Sequence, residues 1–142
     1  ALRLIDRNKI KGETPLICNV GVVGNFIRLL LDRDVDVVGT DFDPEIVGKK
    51  LFGKAEIING SRTLEMIKKS DVAIITGMTL ATNTLDEIIE VARENHTKLV
   101  MFAETGSNLG EFFVNNGVDA VIGEPFPFYI FQGKNTLNVF RK

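Results

Sequence analysis

Cysteine, histidine and tryptophan are almost missing from this chain of 142 residues. It has one cysteine, Cys18, one histidine, His96, and no tryptophan. A single cysteine excludes a disulfide within the chain, and one cysteine with one histidine excludes zinc sites built from several thiolates and imidazoles. The same scarcity leaves no Ser/His/Asp or Cys/His arrangement for nucleophilic catalysis. We therefore predict no metal site and name no catalytic residue.

An excess of one charge and a long hydrophobic run are missing as well. The 17 Lys and Arg residues stand against 19 Asp and Glu residues, for a formal net charge of -2, whereas a nucleic-acid-binding domain normally carries a basic excess. Apolar stretches such as residues 72–75 and 99–103 are far shorter than the ~20 residues of a membrane span. The N-terminus lacks the apolar run of a signal peptide. We predict a cytoplasmic protein with no nucleic-acid and no membrane partner.

Strand-like and helix-like patterns alternate along the rest of the chain. Short apolar runs predict strands at residues 16–20, 35–39, 55–58, 71–76, 98–103 and 118–122. Apolar residues at helical spacing predict helices at 26–33, at 45–50, after a cap at Ser61, from 83 onward and at 109–116. Residues 129–132 and 137–140 read as a closing β-hairpin.

This alternation is typical of the α/β class. It predicts a doubly wound, mostly parallel sheet, Rossmann-like, with helices on both faces and a C-terminal β-hairpin. One domain per ~150 residues predicts a single domain over residues 1–142. Within it, residues 1–13 are a lead-in segment and residues 124–142 contain the C-terminal hairpin.

The loop after the first predicted strand holds an incomplete dinucleotide-binding fingerprint. Asn19, Gly21, Val22 and Gly24 belong to the run Asn-Val-Gly-Val-Val-Gly, in which asparagine replaces the first glycine. Such glycines let the backbone approach a phosphate, and the next helix offers unpaired N–H groups. Asp41 ends the second strand 20 residues after Gly21, where a carboxylate accepts hydrogen bonds from a ribose diol. In the alternative interpretation the glycines only make a tight turn and Asp41 only caps a turn.

Polar residues also follow the fourth and fifth predicted strands. Gly77 permits a positive φ or close ligand approach, and Thr79 and Asn83 are expected to point into the crevice at the carboxyl ends of the strands. Alternatively, Thr82 or Asn83 caps the next helix. Glu104 is either a general base, a metal ligand, an acceptor for a hydroxyl group or a solvated residue. Four carboxylates are oxygen ligands of the kind that a divalent cation needs, although their spacing is not diagnostic: Asp41, Asp43, Glu104 and Glu124.

Three segments carry a family resemblance. They are the loop at 19–24, the run Thr-Gly-Met-Thr-Leu followed by Asn-Thr-Leu within 71–85, and Gly-Val-Asp-Ala-Val-Ile-Gly at 117–123. From about residue 15 to residue 123, the chain resembles the Rossmann-like C-terminal domain of the "putative heavy-metal chelation" family of uncharacterised prokaryotic proteins. The resemblance implies a ligand site near Gly21, Gly77, Thr79 and Asn83. It also implies an N-terminal domain, for which these 142 residues leave no room.

The resulting functional prediction is a Rossmann-like domain that binds a small anionic or nucleotide-like ligand, with a link to metal chelation through the resemblance. The cofactor is left open between S-adenosylmethionine and a nucleotide, and enzymatic activity is left open. Two alternatives are a methyltransferase-like enzyme that uses S-adenosylmethionine and a subunit-interaction module without a ligand. We expect a homo-oligomer or a separate partner domain, because the aromatic segment 126–131 would mark an interface if exposed.

Overall fold

The computed structural model describes residues 14–104, 107–124 and 137–142. The predicted lead-in segment, the aromatic segment 126–131 and the first strand of the predicted hairpin lie outside these residues. The described strands are β1 (Leu16–Val20), β2 (Asp36–Asp41), β3 (Lys50–Leu51), β4 (Ala55–Asn59), β5 (Val72–Thr76), β6 (Lys98–Ala103), β7 (Ala120–Gly123) and β8 (Asn138–Arg141). The described helices are α1 (Gly24–Leu31), α2 (Thr63–Lys69), α3 (Met78–Ala81), α4 (Leu85–Glu94) and α5 (Gly110–Asn115), with 3-10 turns at Gly60–Arg62 and Ser107–Leu109.

The eight described strands form one sheet, in the order β3-β4-β2-β1-β5-β6-β7-β8. The pairs from β4 through β7 are parallel, and the two edge pairs, β3–β4 and β7–β8, are antiparallel. From β1 the chain runs to β2 on one side and later returns to β5 on the other, so the strand order reverses between β1 and β5. The predicted doubly wound, mostly parallel Rossmann-like sheet is confirmed. The sheet ends in an antiparallel strand that pairs with β7.

Helices cover both faces of the sheet because its strands are apolar on both sides, as parallel strands are. On one face, α2, α4 and α5 bury their apolar sides against β1, β5, β6 and β7. On the other face, α1 buries Ile27 and Leu30 against Ile17, Ile57 and Ile74. The residues that follow β1, β2 and β5 border one pocket at the carboxyl end of the sheet.

Three local predictions were wrong. The predicted helix at 45–50 is a series of turns in which the N–H groups of Ile46 and Val47 both donate to the carbonyl of Asp43. Gly48, with φ +82°, ends this turn before a helix can extend. The expected loop after the strand at 72–76 contains the short helix α3. Asn59, and not Ser61, caps the 3-10 turn, because its side chain accepts the N–H of Ser61.

Gly110 and Gly24 each begin a helix, and they make a matched pair for testing the packing of β8. A Cβ at Gly110 would overlap the ring of Phe140 in β8, whereas a Cβ at Gly24 would meet no atom within 4 Å. We expect Gly110→Ala to cost about 1–3 kcal/mol, as overpacking does. We expect Gly24→Ala to leave stability unchanged or raise it by up to about 1 kcal/mol. Urea unfolding of both variants measures the difference, and equal midpoints would refute the described contact between α5 and β8.

Candidate functional site

A pocket of about 420 Å³ opens at the carboxyl ends of β1, β2 and β5. This volume is within the range of small-molecule sites. Its position beside the point where the strand order reverses is where open α/β sheets bind their ligands. Helices α2, α3 and α4 supply the remaining wall. The lining residues are Val20, Gly21, Thr40, Asp41, Phe42, Gly60, Ser61, Thr63, Leu64, Thr76, Met78, Thr79, Thr82, Thr84, Glu87 and Ile88.

The lining combines hydroxyl groups with two carboxylates and apolar side chains. Seven of the lining residues are serine or threonine. Some hydroxyls bond to one another, such as Thr63 to Thr40 at 2.9 Å, so they hold the pocket wall in place. Asp41 and Glu87 are the charged members, and none of the described lining residues is Lys, Arg or His. The accessible lining is mainly apolar, and it also includes hydrogen-bonding groups and two negative charges.

The loop after β1 is held by Asn19, which is fully buried. Its Oδ1 accepts the N–H of Val23 at 2.9 Å, and its Nδ2 donates to the carbonyls of Gly21 and Ile74, both at 3.4 Å. Gly21 itself has φ +70°, and a Cβ there would lie 3.1 Å from the hydroxyl of Thr76. A side chain at this position would be strained and crowded, so the turn requires glycine.

Asp41 connects this loop to the end of β2. Its Oδ2 accepts the N–H of Val22 at 2.8 Å, and its Oδ1 accepts the N–H of Asp43 at 3.0 Å. The N–H of Gly21 donates to the carbonyl of Thr40 at 2.9 Å. Three consecutive N–H groups, those of residues 21, 22 and 23, thus bond to acceptors of the protein itself. A phosphate that bound to the Val22 N–H would have to displace the carboxylate of Asp41, which carries the same sign of charge.

The structure separates the predicted site residues into three sets. Gly21, Asp41 and Thr79 line the pocket. Asn19 and Val22 lie behind it and support the loop, while Gly24 begins α1 outside the lining. Gly77 and Asn83 also lie outside the lining.

Gly77 and Asn83 differ from their predicted roles. The φ of Gly77 is −59°, so this glycine does not supply the positive φ that its position suggested. Asn83 has φ +55° and lines a separate depression beside Arg93 and Phe112. The alternative role of Asn83 as a helix cap is also wrong, because Thr84 occupies the N-cap of α4 and no side chain bonds to the helix start there.

Several residues that line the pocket were not predicted from the sequence. Phe42 follows Asp41 directly, and its signal was a lone large apolar side chain between two aspartates. Thr63 belongs to α2, and Glu87 to the first turn of α4, where it reads as an ordinary helix-start acid. Thr82 and Thr84 reach the pocket because the unpredicted helix α3 turns the chain.

Comparison with known proteins gives a family for this fold and site. The model of the family described as "Putative heavy-metal chelation", DUF364, matches residues 13–124. The chain belongs to the DUF364 family. Two solved DUF364 proteins of unknown function are similar. The protein from Pyrococcus horikoshii has TM-score 0.71 and 16% identity, and the alignment covers 99% of this chain and 62% of that one. The protein from Desulfitobacterium hafniense has TM-score 0.65 and 15% identity, with 97% and 56% covered.

A third solved structure extends the likeness beyond DUF364. It is a wide-type short-chain dehydrogenase/reductase from Veillonella parvula in complex with NADP, with TM-score 0.50, 12% identity, and 68% of this chain and 50% of that one covered. These identities establish the fold alone. The chain spans about three fifths of the length of the two DUF364 structures. No curated protein matches it. Among the described helices, none combines the length and the apolar character needed to cross a bilayer.

The described residues of this DUF364 chain do not assemble a heavy-metal site. Soft metals prefer thiolate and imidazole ligands, and Cys18 is buried within β1 while His96 lies in the turn after α4. Across residues 14–104, 107–124 and 137–142, no three His, Cys, Asp or Glu residues form a group that could hold a metal ion. The four carboxylates considered for a divalent cation are therefore not assembled into a site.

Burial raises the pKa of the Cys18 thiol from 9.0 to about 12, although a hydrogen bond with Thr40 acts in the opposite direction. The thiol is thus neutral and inert in the folded chain. We expect iodoacetamide to leave Cys18 unmodified in the native protein at mildly alkaline pH and to modify it fully in concentrated urea, as read by mass spectrometry. Rapid native modification would contradict the burial.

The same thiol gives the folded state a pH dependence with a definite sign. An unfolded chain loses the thiol proton near pH 9, whereas the folded chain retains it up to about pH 12. The stability contributed by this group is therefore complete below pH 9 and is lost as the pH rises towards 12. The free energy of unfolding of the Cys18→Ala variant should lack the part of the decline between pH 9 and about pH 12 that comes from this thiol.

Proposed function

We propose that this chain binds a small nucleoside-like ligand that carries no phosphate, in the pocket at the carboxyl ends of β1, β2 and β5. The observation that supports this most is the position of Asp41. It lines the pocket at the end of β2, and its carboxylate accepts the Val22 N–H that a phosphate would need. We retain Asp41 as the acceptor of a ribose diol, and we no longer assign phosphate binding to the loop after β1.

Asp41 retains hydrogen-bonding capacity for a ligand. An ionised carboxylate has about four lone-pair sites, and the two described bonds to Val22 and Asp43 use one on each oxygen. A ribose diol would donate to the remaining sites. Hydrogen bonds to a charged group contribute about 1.5–3 kcal/mol, which is enough to orient a small ligand.

The charge of the pocket favours a neutral or cationic ligand. Asp41 and Glu87 repel phosphate groups, and the described lining offers no cation to offset them. The Veillonella parvula structure was solved with NADP, a dinucleotide that carries a pyrophosphate and a 2′-phosphate. Because the two chains share only the fold, that ligand does not transfer to this pocket.

A second candidate is a methyltransferase-like enzyme that uses S-adenosylmethionine. That molecule combines an adenosine unit with a positively charged sulfonium and has no phosphate. The two carboxylates of the lining favour it over nucleotides: Asp41 at the end of β2 and Glu87 in the first turn of α4.

A thermal-shift panel tests the proposed ligand class. A ligand present at 100 times its dissociation constant stabilises the fold by ~2.7 kcal/mol, which raises the midpoint by roughly 5 °C for a protein of this size. We expect adenosine and S-adenosylmethionine to raise the midpoint more than AMP, and AMP more than ATP or NADP. The reverse order would overturn the proposal. No shift with any member would favour the interaction-module alternative.

A further inference from the structure

Phe42 has an unusual setting for a large apolar residue. It is the first residue after β2 and lines the pocket, yet 72% of its surface is exposed. Burial of an aromatic ring is one of the larger apolar contributions to folding, and this ring forgoes most of it. A ring that remains exposed inside a pocket has apolar surface that a ligand can bury.

One face of the Phe42 ring rests on the backbone of Gly60. A Cβ at Gly60 would lie 2.6, 2.7 and 2.8 Å from Cε2, Cδ2 and Cζ of the ring. Nearly equal distances to three consecutive ring atoms place this point over the face of the ring, since a point beyond the edge would be much closer to one atom than to its neighbours. Glycine therefore lets the ring approach the chain closely at residue 60, while most of the Phe42 side chain stays exposed.

We propose that Phe42 determines the specificity of the pocket by stacking on the planar base of the ligand. The inference rests on the proposed function. Asp41 and Phe42 both line the pocket, so one ligand of nucleoside size can reach the Asp41 carboxylate with its sugar and the exposed Phe42 ring with its base. Aromatic side chains stack on nucleobases with little preference among them, so the ligand class is nucleosides and their phosphate-free derivatives.

Isothermal titration of the full chain with two probes tests the stacking. Adenosine carries both the sugar hydroxyls and a base, whereas methyl β-D-ribofuranoside carries the hydroxyls without a base. We expect Phe42→Ala to weaken adenosine binding about tenfold or more and to leave binding of the riboside unchanged. Phe42→Trp retains a stacking surface and should retain adenosine affinity. Gly60→Ala should weaken adenosine binding because its methyl group displaces the ring.

Phe52 provides the matched control. It is another exposed phenylalanine, 55% accessible, and it lies in the β3–β4 turn outside the pocket lining. Phe52→Ala should bind adenosine like the unsubstituted chain. Equal affinity of the Phe42→Ala and Phe52→Ala variants would overturn the stacking role, while loss of binding in Asp41→Asn would still uphold the proposed function. Failure of the unsubstituted chain to bind adenosine would overturn both.

Discussion

Replacement of Asp41 by alanine is expected to weaken adenosine binding by about 10-fold to 100-fold. This range corresponds to the loss of hydrogen bonds to a charged acceptor, at about 1.5–3 kcal/mol. The same substitution removes a negative charge from the lining and frees the Val22 N–H. Binding of ATP should therefore improve while binding of adenosine declines. Titration of both ligands into the same protein gives the change in preference directly.

Two further variants separate the charge of Asp41 from its structural contacts. Asp41→Asn keeps one acceptor, for the Val22 N–H, while it loses the acceptor of the exposed Asp43 N–H and removes the charge. We expect it to reduce the discrimination against ATP. Asp43→Ala is the matched control, because Asp43 is a neighbouring acid whose carboxylate caps Glu45 and does not line the pocket. Unchanged adenosine affinity in both Asp41 variants would contradict the proposed role of this residue.

Replacement of Asn19 by alanine should lower the free energy of unfolding by about 1–3 kcal/mol. Removing one partner of a buried hydrogen bond leaves the other group unsatisfied at about that cost. Asn19 is fully buried and bonds to Val23, Gly21 and Ile74, so its loss affects both the glycine loop and the adjacent strand. The midpoint of urea unfolding measures the change.

Asn116 is the control for Asn19. Its Nδ2 also donates to a backbone carbonyl, that of Phe112 at 2.8 Å, but the bond is exposed to solvent. Asn116→Ala should change stability by no more than about 0.5 kcal/mol, as surface substitutions usually do. If both asparagine variants unfold at the same urea concentration, the buried network around Asn19 does not hold the loop as described.

The departure from the dinucleotide fingerprint has a physical explanation in this network. Where the fingerprint has its first glycine, Asn19 supplies a side chain that caps the N–H of Val23 just before α1. Asp41 supplies a second acceptor, to Val22. Sequence spacing predicted that Asp41 and the glycine loop belong together, and they do meet. It did not predict that the two side chains would take the N–H groups themselves.

The sequence predicted the sheet better than its connections. Continuous apolar runs such as the one in Lys98–Ala103 clearly predict strands like β6, because a strand that is buried on both faces needs apolar residues at successive positions. The two-residue strand β3 and the four-residue helix α3 are too short to show a period. Glu87 and Phe42 lie in the pocket only because tertiary packing brings α4 and the end of β2 together. No local sequence pattern predicts that these two residues border the same pocket.

The most direct measurement of the central claim is an amide ¹H–¹⁵N NMR titration of the chain with adenosine. We expect saturable shifts at the amides of Gly21, Val22, Phe42 and Thr79, which line or support the pocket. The amides of α5, which borders the separate depression beside Asn83, should remain unchanged. Shifts that cluster on α5, or a spectrum that adenosine leaves unchanged while ATP perturbs the glycine loop, would contradict the account.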